Sequence, residues 1–570
     1  MTSSPVRTLP RFVPETSVPQ ARRRRRPRRE SSVLFLVFAA AYLVVTALLI
    51  QRNVVFTDAT SRLSNAFFVL YSRYPHLPAL GFVWNPLPSL VLLPLLPFKS
   101  LFPALVTAGV AGAIQSALCM AGTVATVASC LRKMGLGRGP RTLLAALFGV
   151  QPMILLYGGS GQSEPMLLLF LALAVSSLLS WVRRRQPGSL VAAGVSLGLG
   201  YLARYEAVAP AIAAVVLVMA VSFFAARGPA VDRVRVMVND MLLVGGPALF
   251  AIVLWAASAK LLVGQWFPTF SSNYGNAAQV ANASKAIQQA TGTNFAATLE
   301  YLGKQMFVLA PACAILLVIA VVLAVKRRDL SALVAPFIFG SVLAFAAAVL
   351  LAGSSFGWLR FQISIIPLTV LLAGTVLAPA RPRVERSAPA VRMSDAIGVP
   401  RTRGWAVAAT AVVALLVATA LPAQWIALTH RSFNLAREEA PALSAVFHPG
   451  QSRSDDDLLT VFRNEKQVAA DLGAMHLPVG AVLTDSAFAF PIIINISDPR
   501  VFVINSDLDF ADALKDPRGH HIRYLLVRTG APSDELLKRW PTLTTTGAGV
   551  ASVIRQWQGP LSYWRLFQLS

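Results

Sequence analysis

The sequence predicts an α-helical polytopic membrane protein with about 11 transmembrane helices and a small C-terminal α/β extracytoplasmic domain. Of its 570 residues, 55% are hydrophobic and only 14% are charged, whereas soluble proteins carry roughly a quarter charged residues. Several apolar runs also reach about 18 residues, which is long enough to cross a bilayer core of about 30 Å. Lipid is therefore the expected solvent for most of the chain.

Eleven apolar segments account for the predicted transmembrane helices. They lie at 32–50, 103–131, 142–157, 165–182, 188–203, 207–225, 239–262, 302–325, 331–352, 361–378 and 405–422. The loops and tail on one side of these segments contain 28 Lys and Arg residues, and the loops on the other side contain 6. Because Lys and Arg are enriched on the cytoplasmic side, we expect a multi-pass plasma-membrane protein with a cytoplasmic N-terminus.

The chain divides into three predicted parts. Residues 1–31 form a basic, Pro- and Arg-rich tail, which we expect to be disordered and cytoplasmic. Residues 32–422 form the transmembrane domain, with a first outer loop over 51–102. Residues 423–570 contain 14 Lys/Arg and 15 Asp/Glu, and this near-neutral composition predicts a soluble domain outside the membrane.

Short apolar runs give the expected structure of the C-terminal domain. The runs at 481–484, 501–504 and 524–527 predict buried strands, and 508–514 predicts a helix between two of them. Alternating strands and helices are typical of a small α/β unit.

Residues 86–98 are short, apolar and rich in proline, and the topology depends on them. If they crossed the membrane, every later loop would change sides. We interpret them as a re-entrant or surface-lying piece, because irregular backbone at membrane depth is tolerated where protein or a water-filled cavity covers it.

Composition also argues against two kinds of site. The net charge of +25 does not indicate nucleic-acid binding, because the excess lies in the tail and loops and no basic patch is interleaved with aromatic residues. Cys119, Cys130 and Cys313 stand singly in or beside apolar runs. They give neither a disulfide framework nor a zinc motif, and we expect no cofactor.

Charged residues at membrane depth are costly and therefore mark functional sites by default. The first such residue is Asp58, in the loop after the first helix, with His76 and Trp84 further along the same loop. A carboxylate there can act as a general base toward a hydroxyl group. Asp is also common as a helix N-cap, and both interpretations remain open for Asp58.

Glu164 follows a glycine-rich loop at 158–161 and begins the next helix. Its position suits an acceptor or metal contact, but acidic residues are also favourable in the first turn of a helix through the dipole. The loop lacks the Gly-Lys-Ser/Thr ending of a P-loop.

Arg204 and Glu206 interrupt a long apolar stretch, and Arg360 begins a late helix beside aromatic residues. The first two can form an internal ion pair or snorkel to the interface, and Arg360 can be an interfacial anchor. A guanidinium group also matches the oxygens of a phosphate. One topology places all these charges on the outer face, where a base and two arginines suit transfer from a lipid phosphate.

These elements resemble the GT-C superfamily of polytopic glycosyltransferases that use lipid-phosphate sugars, including the protein O-mannosyltransferase and aminoarabinose-transferase branches. The resemblance covers roughly residues 32–380 and rests on short motifs: Asp58 in the first outer loop, 161–165 (GQSEP), 203–206 (ARYE), 358–361 (WLRF) and 366–367 (IP).

The resemblance implies inverting transfer of a mannose- or pentose-type sugar from a polyprenyl-phosphate donor to a glycan, lipid or protein acceptor. Asp58 would be the base, and Arg360 and Arg204 would contact the donor phosphate. Glu164 would bind the acceptor or, in metal-using branches, a metal. Many family members carry an acidic pair in the first loop, but Ala59 follows Asp58 here, so metal use is not supported.

Two further hypotheses compete with this one. A transporter or lipid flippase would need polar residues near the bilayer midplane and broken helices repeated in two halves. The chain shows charges within an apolar run only at Arg204 and Glu206, and no such symmetry. A non-catalytic membrane scaffold is the third possibility.

Overall fold

The computed structural model describes residues 27–379, 403–430, 435–436, 438–447, 462–559 and 562–570. The predicted disordered tail therefore lies largely outside the described residues, as does most of the predicted cytoplasmic loop at 379–404.

The described chain before the C-terminal sheet is helical. Its α-helices are α1 Pro27–Gln51, α2 Thr57–Tyr71, α3 Leu87–Leu92, α4 Ala104–Thr107, α5 Val110–Met134, α6 Arg138–Gly149, α7 Pro152–Gly159, α8 Glu164–Arg184, α9 Pro187–Ala203, α10 Val208–Ala225, α11 Ala230–Val263, α12 Pro268–Ser271, α13 Asn276–Asn282, α14 Ser284–Thr291, α15 Phe295–Leu309, α16 Cys313–Arg327, α17 Val334–Leu351, α18 Ile365–Leu377, α19 Arg403–Ala418, α20 Ala420–Thr429 and α21 Glu439–Phe447.

The predicted polytopic helical fold is confirmed. Within the described residues, 8 helices are long and apolar enough to cross a membrane, or up to 10 if each of two bent pairs forms one span. The remaining predicted segment, 188–203, corresponds to the shorter helix α9. Every predicted segment thus coincides with a helix or a bent pair, while the number of eleven crossings stays a prediction.

The two bent pairs break near prolines. Helices α6 and α7 meet at 64° before Pro152, and α15 and α16 meet at 80° across Pro311. Proline lacks the N–H that would continue a helix, so the chain turns at these points and leaves backbone groups to be satisfied by other residues.

Residues 86–98 do not form a candidate span. Helix α3 contains 6 residues, which corresponds to a length of about 9 Å. Leu92 and Leu96 pack in one core with Phe490 and Ile493 of the C-terminal part. A short piece covered by protein agrees with the interpretation of this stretch as re-entrant or surface-lying.

The C-terminal part contains a mixed sheet of five strands within the described residues. The elements are α22 Arg463–Ala474, β1 Val482–Thr484, α23 Ser486–Ile493, β2 Phe502–Val503, α24 Phe510–Lys515, β3 Tyr524–Arg528, α25 Glu535–Arg539, α26 Leu543–Thr546, β4 Ala551–Gln558 and β5 Tyr563–Leu569. The strand order is β2-β1-β3-β5-β4. Strand β1 is parallel to β2 and β3, and β5 is antiparallel to β3 and β4.

The small α/β domain is therefore confirmed, and the three predicted strands and the predicted helix are β1, β2, β3 and α24. The hairpin of β4 and β5 was not predicted. The domain boundary near 423 stays a prediction. Residues of α20 and α21 beyond it, including Leu428 and Leu443, pack in the core of the transmembrane helices.

Candidate active site

Arg360 lies at the centre of a cluster of charged side chains and is only 1% exposed. Its Nη2 is 2.7 Å from Oδ2 of Asp58, and its Nη1 is 3.4 Å from Oε2 of Glu438. Its Nε is 3.6 Å from Oε1 of Glu164. Three carboxylates from distant parts of the sequence therefore surround one guanidinium group.

Arg204 forms the second cationic centre of the cluster. Its Nη1 donates to Oε1 of Glu164 at 2.6 Å and to Oγ of Ser163 at 3.1 Å, and its Nη2 donates to Oε1 of Glu206 at 2.6 Å. The single oxygen Oε1 of Glu164 thus links both arginines. Such buried charges are stable only when they are paired and hydrogen-bonded.

The ends of helices bring these residues together. Asp58 and Glu164 lie in the first turns of α2 and α8, where the helix dipole favours an acidic side chain. Phe56, not Asp58, occupies the N-cap of α2. Arg204 is an extended residue between α9 and a short 3₁₀ turn, and Arg360 lies in the 3₁₀ turn Leu359–Gln362 before α18.

Asp58 and Glu438 lie outside the membrane-spanning helices, and their surroundings shift their pKa values in opposite directions. Burial by itself raises the pKa of Asp58, but Arg360 and Arg62 lower it by more than burial raises it, so the net pKa lies below the usual range. Burial raises the pKa of Glu438 to about 7, although Arg360 opposes this. At neutral pH Asp58 is therefore ionised, while Glu438 is present in both its protonated and its ionised form.

A pocket opens beside the two arginines. Its polar end contains Glu164, Arg204, Glu206 and Arg360. Its apolar wall comes mainly from α17, through Val342, Phe345, Ala346 and Val349. The pocket thus has a charged end and an apolar side, which together suit a lipid with an anionic head group.

Two further site residues predicted from the sequence, Trp84 and His76, are not direct members of the charged cluster. Trp84 reaches the cluster indirectly, since the guanidinium of Arg62 stacks over its ring at 4.5 Å and donates to the backbone oxygen of Asp58 at 3.2 Å. His76 contacts the backbone oxygen of Tyr74 at 2.5 Å. Its contacts within the described residues do not connect it to the cluster.

Sequence reasoning missed Glu438 and Glu439. Glu439 is buried and accepts a hydrogen bond from the hydroxyl of Tyr157 at 2.8 Å. The two acids follow the last apolar segment, in a stretch assigned to the soluble tail, where charged residues are ordinary. The only signal was an adjacent acidic pair close to the membrane end of that tail.

The described residues contain no group of three or more His, Cys, Asp or Glu side chains that could hold a metal ion. The expectation that no cofactor is needed stays a prediction.

Comparison with known proteins gives one family match. The model of the family described as dolichyl-phosphate-mannose-protein mannosyltransferase matches residues 98–260. This segment includes Glu164, Arg204 and Glu206, and the match confirms the resemblance to lipid-phosphate-dependent membrane glycosyltransferases. No curated protein matches the chain.

Several solved chains share a loose overall likeness with this one. Among them is the archaeal oligosaccharyltransferase AglB from Archaeoglobus fulgidus in complex with an inhibitory peptide and a dolichol-phosphate. The TM-score is 0.40 and the identity 12%, with 88% of this chain and 70% of that chain covered. A likeness of this extent does not assign residues.

Proposed function

We propose that this protein is a membrane glycosyltransferase that moves a sugar from a polyprenyl-phosphate donor to an acceptor hydroxyl on the outer face of the plasma membrane. The pocket beside Arg204 and Arg360 is the observation that carries the proposal, because it joins two guanidinium groups to an apolar wall on α17. The family match over residues 98–260 supports the same class of donor.

In this proposal the donor phosphate binds at the arginines and its prenyl chain lies along the apolar wall. Arginine suits a phosphate because its planar fork of donors matches two oxygens. The phosphate then competes with Asp58 for Arg360, and the carboxylate of Asp58 is freed to act as base. Its side chain is 20% exposed, so an acceptor can reach it.

The chemical step is a single displacement. As Asp58 takes the hydroxyl proton, the acceptor oxygen attacks the anomeric carbon of the sugar and the bond from that carbon to the phosphate breaks. The negative charge that develops on the leaving phosphate faces Arg360 and Arg204, and fixed charges of this kind lower the barrier in a site shielded from water. Attack opposite the leaving group inverts the anomeric centre.

A transfer assay tests this function. Purified protein in lipid vesicles receives radiolabelled polyprenyl-phosphate mannose or pentose together with glycan, lipid and peptide acceptors. We expect transfer by the wild type and a loss of about 10²-fold or more in Asp58→Asn, since general base catalysis contributes about 10²–10⁴-fold.

Asp512→Asn is the matched control, because this Asp is 67% exposed on α24. It should transfer like the wild type. Full activity in Asp58→Asn would remove the base assignment, and the absence of wild-type transfer with every donor would favour the transporter or flippase hypothesis.

A further inference from the structure

Glu438 faces the guanidinium group of Arg360. Its Oε2 is 3.4 Å from Nη1 of Arg360. Neither that oxygen nor Nη1 and Nε of Arg360 makes a hydrogen bond within the described residues. Two nitrogens of the guanidinium group therefore keep hydrogen-bonding capacity, and Glu438 stands beside one of them, Nη1.

The charges of the cluster already balance without Glu438. Arg62, Arg204 and Arg360 supply three positive charges, and Asp58, Glu164 and Glu206 supply three negative ones. An ionised Glu438 makes the buried cluster net negative, and a bound phosphate adds to this. Like charges a few ångströms apart in a buried site are costly, so a bound phosphate favours the protonated form of Glu438.

We propose that Glu438 is a further catalytic residue, a general acid that hydrogen-bonds to the donor phosphate and protonates it as the sugar leaves. This proposal rests on the proposed function. Asp58 and Glu438 then form an acid–base pair on opposite nitrogens of one guanidinium group, with Asp58 at Nη2 and Glu438 at Nη1.

The proton balance of the step closes. The bond between the anomeric carbon and the phosphate oxygen breaks, its electron pair stays on that oxygen, and the oxygen takes the proton of Glu438. The new bond forms from the acceptor oxygen, whose proton passes to Asp58. After the products leave, Asp58 releases its proton and Glu438 takes one up from water.

The surroundings of Glu438 agree with this role. Burial raises its pKa to about 7. Arg360 opposes this, whereas among the described residues Asp58, Glu439 and Glu164 also disfavour ionisation, and Tyr157 lies close enough to interact with it. Asp58 has the opposite shift. Two carboxyl groups whose environments separate their pKa values are the usual mark of an acid and a base in one site.

The rate of transfer as a function of pH tests this role, measured from pH 5.5 to 9 in the wild type, Glu438→Gln and Glu439→Gln. We expect the wild-type kcat to fall above a pH of about 7, where Glu438 loses its proton. Glu438→Gln should lose about 10²-fold in kcat and no longer show the fall at high pH.

Glu439→Gln is the matched control, because the carboxyl of Glu439 accepts a hydrogen bond from Tyr157. It should keep the high-pH fall, moved to a lower pH because one group that disfavours ionisation of Glu438 is removed. Should the amide at 438 prevent folding, Glu438→Asp retains an acid and should keep the fall with a lower kcat. A fall that persists unchanged in Glu438→Gln, or that is absent from wild-type transfer, would overturn the role of Glu438 alone. A wild type without transfer at any pH would overturn the proposed function itself.

Discussion

At the scale of single residues, Arg360 is the side chain on which the cluster depends, because its guanidinium faces carboxylates from α2, α8 and the segment before α21. It also lies under the ring of Trp358, at 4.2 Å from its centroid. A planar group with several donors can face all of these partners at once, whereas a compact ammonium cannot.

The variant Arg360→Lys tests this dependence. It keeps the positive charge, so we expect the protein to fold, but the loss of the fork should lower kcat/KM for the donor by about 10²-fold, the range that follows from removing one stabilising donor in a transition state. Transfer kinetics check this, with Arg500→Lys as the control because Arg500 is 61% exposed on the surface. Unchanged kinetics in Arg360→Lys would contradict its contact with the phosphate.

The sequence made most of the cluster predictable for one physical reason. Arg204, Glu206, Glu164 and Arg360 stand at the ends of apolar runs, where a charge is costly and therefore visible. Glu438 could not be found in this way, because a charge beyond the last apolar run carries no such cost in the sequence. Its burial arises only when α21 folds back into the helical core.

At the scale of elements, Gln424 of α20 joins the two broken helices and is fully buried. Its Nε2 donates to the backbone oxygen of Leu309 at 2.8 Å and to Oε1 of Gln151 at 2.6 Å, and its Oε1 accepts from the backbone N–H of Met153 at 3.1 Å. Backbone groups freed at a helix break in lipid need such partners. One side chain therefore supports both bends.

Gln424→Leu removes these hydrogen bonds while keeping a similar volume. Each buried polar group left without a partner costs about 1–3 kcal/mol, so we expect a lower midpoint of thermal unfolding in detergent. Gln288→Leu, at an exposed position on α14, is the control and should unfold near the wild-type temperature. An equal midpoint for Gln424→Leu would show that the bends do not need this side chain.

The sequence predicted the elements that hydrophobicity determines. It did not predict elements that depend on pairing between segments of the chain. The apolar segments and the buried strands β1, β2 and β3 followed from their composition. The hairpin of β4 and β5 was missed because β4 is largely exposed between Ser552 and Gln556, so it has no apolar run. The bends before Pro152 and across Pro311 were also missed, because the apolar segments continue through them.

At the scale of the whole molecule, the C-terminal domain is fixed to the helical part by polar contacts and a shared core. Arg73, which follows α2, pairs with Asp507 and Asp509. The hydroxyl of Tyr274, between α12 and α13, donates to Asp485 and lies 3.3 Å from Oε1 of Glu535. Helix α2, which carries Asp58, packs in the same core as Phe490 of α23. The helix that carries Asp58 is therefore packed directly against the C-terminal domain.

Photo-labelling by a polyprenyl phosphate with a photoreactive group near its phosphate tests most directly whether the pocket beside Arg360 holds the donor lipid. We predict that mass spectrometry locates the label on α17, around Val342, Phe345 and Val349, and that an unlabelled polyprenyl-phosphate sugar competes for the site. Arg360→Ala should weaken this labelling, whereas Arg500→Ala should not. Labelling that avoids α17, or that is equally strong in Arg360→Ala, would contradict the account.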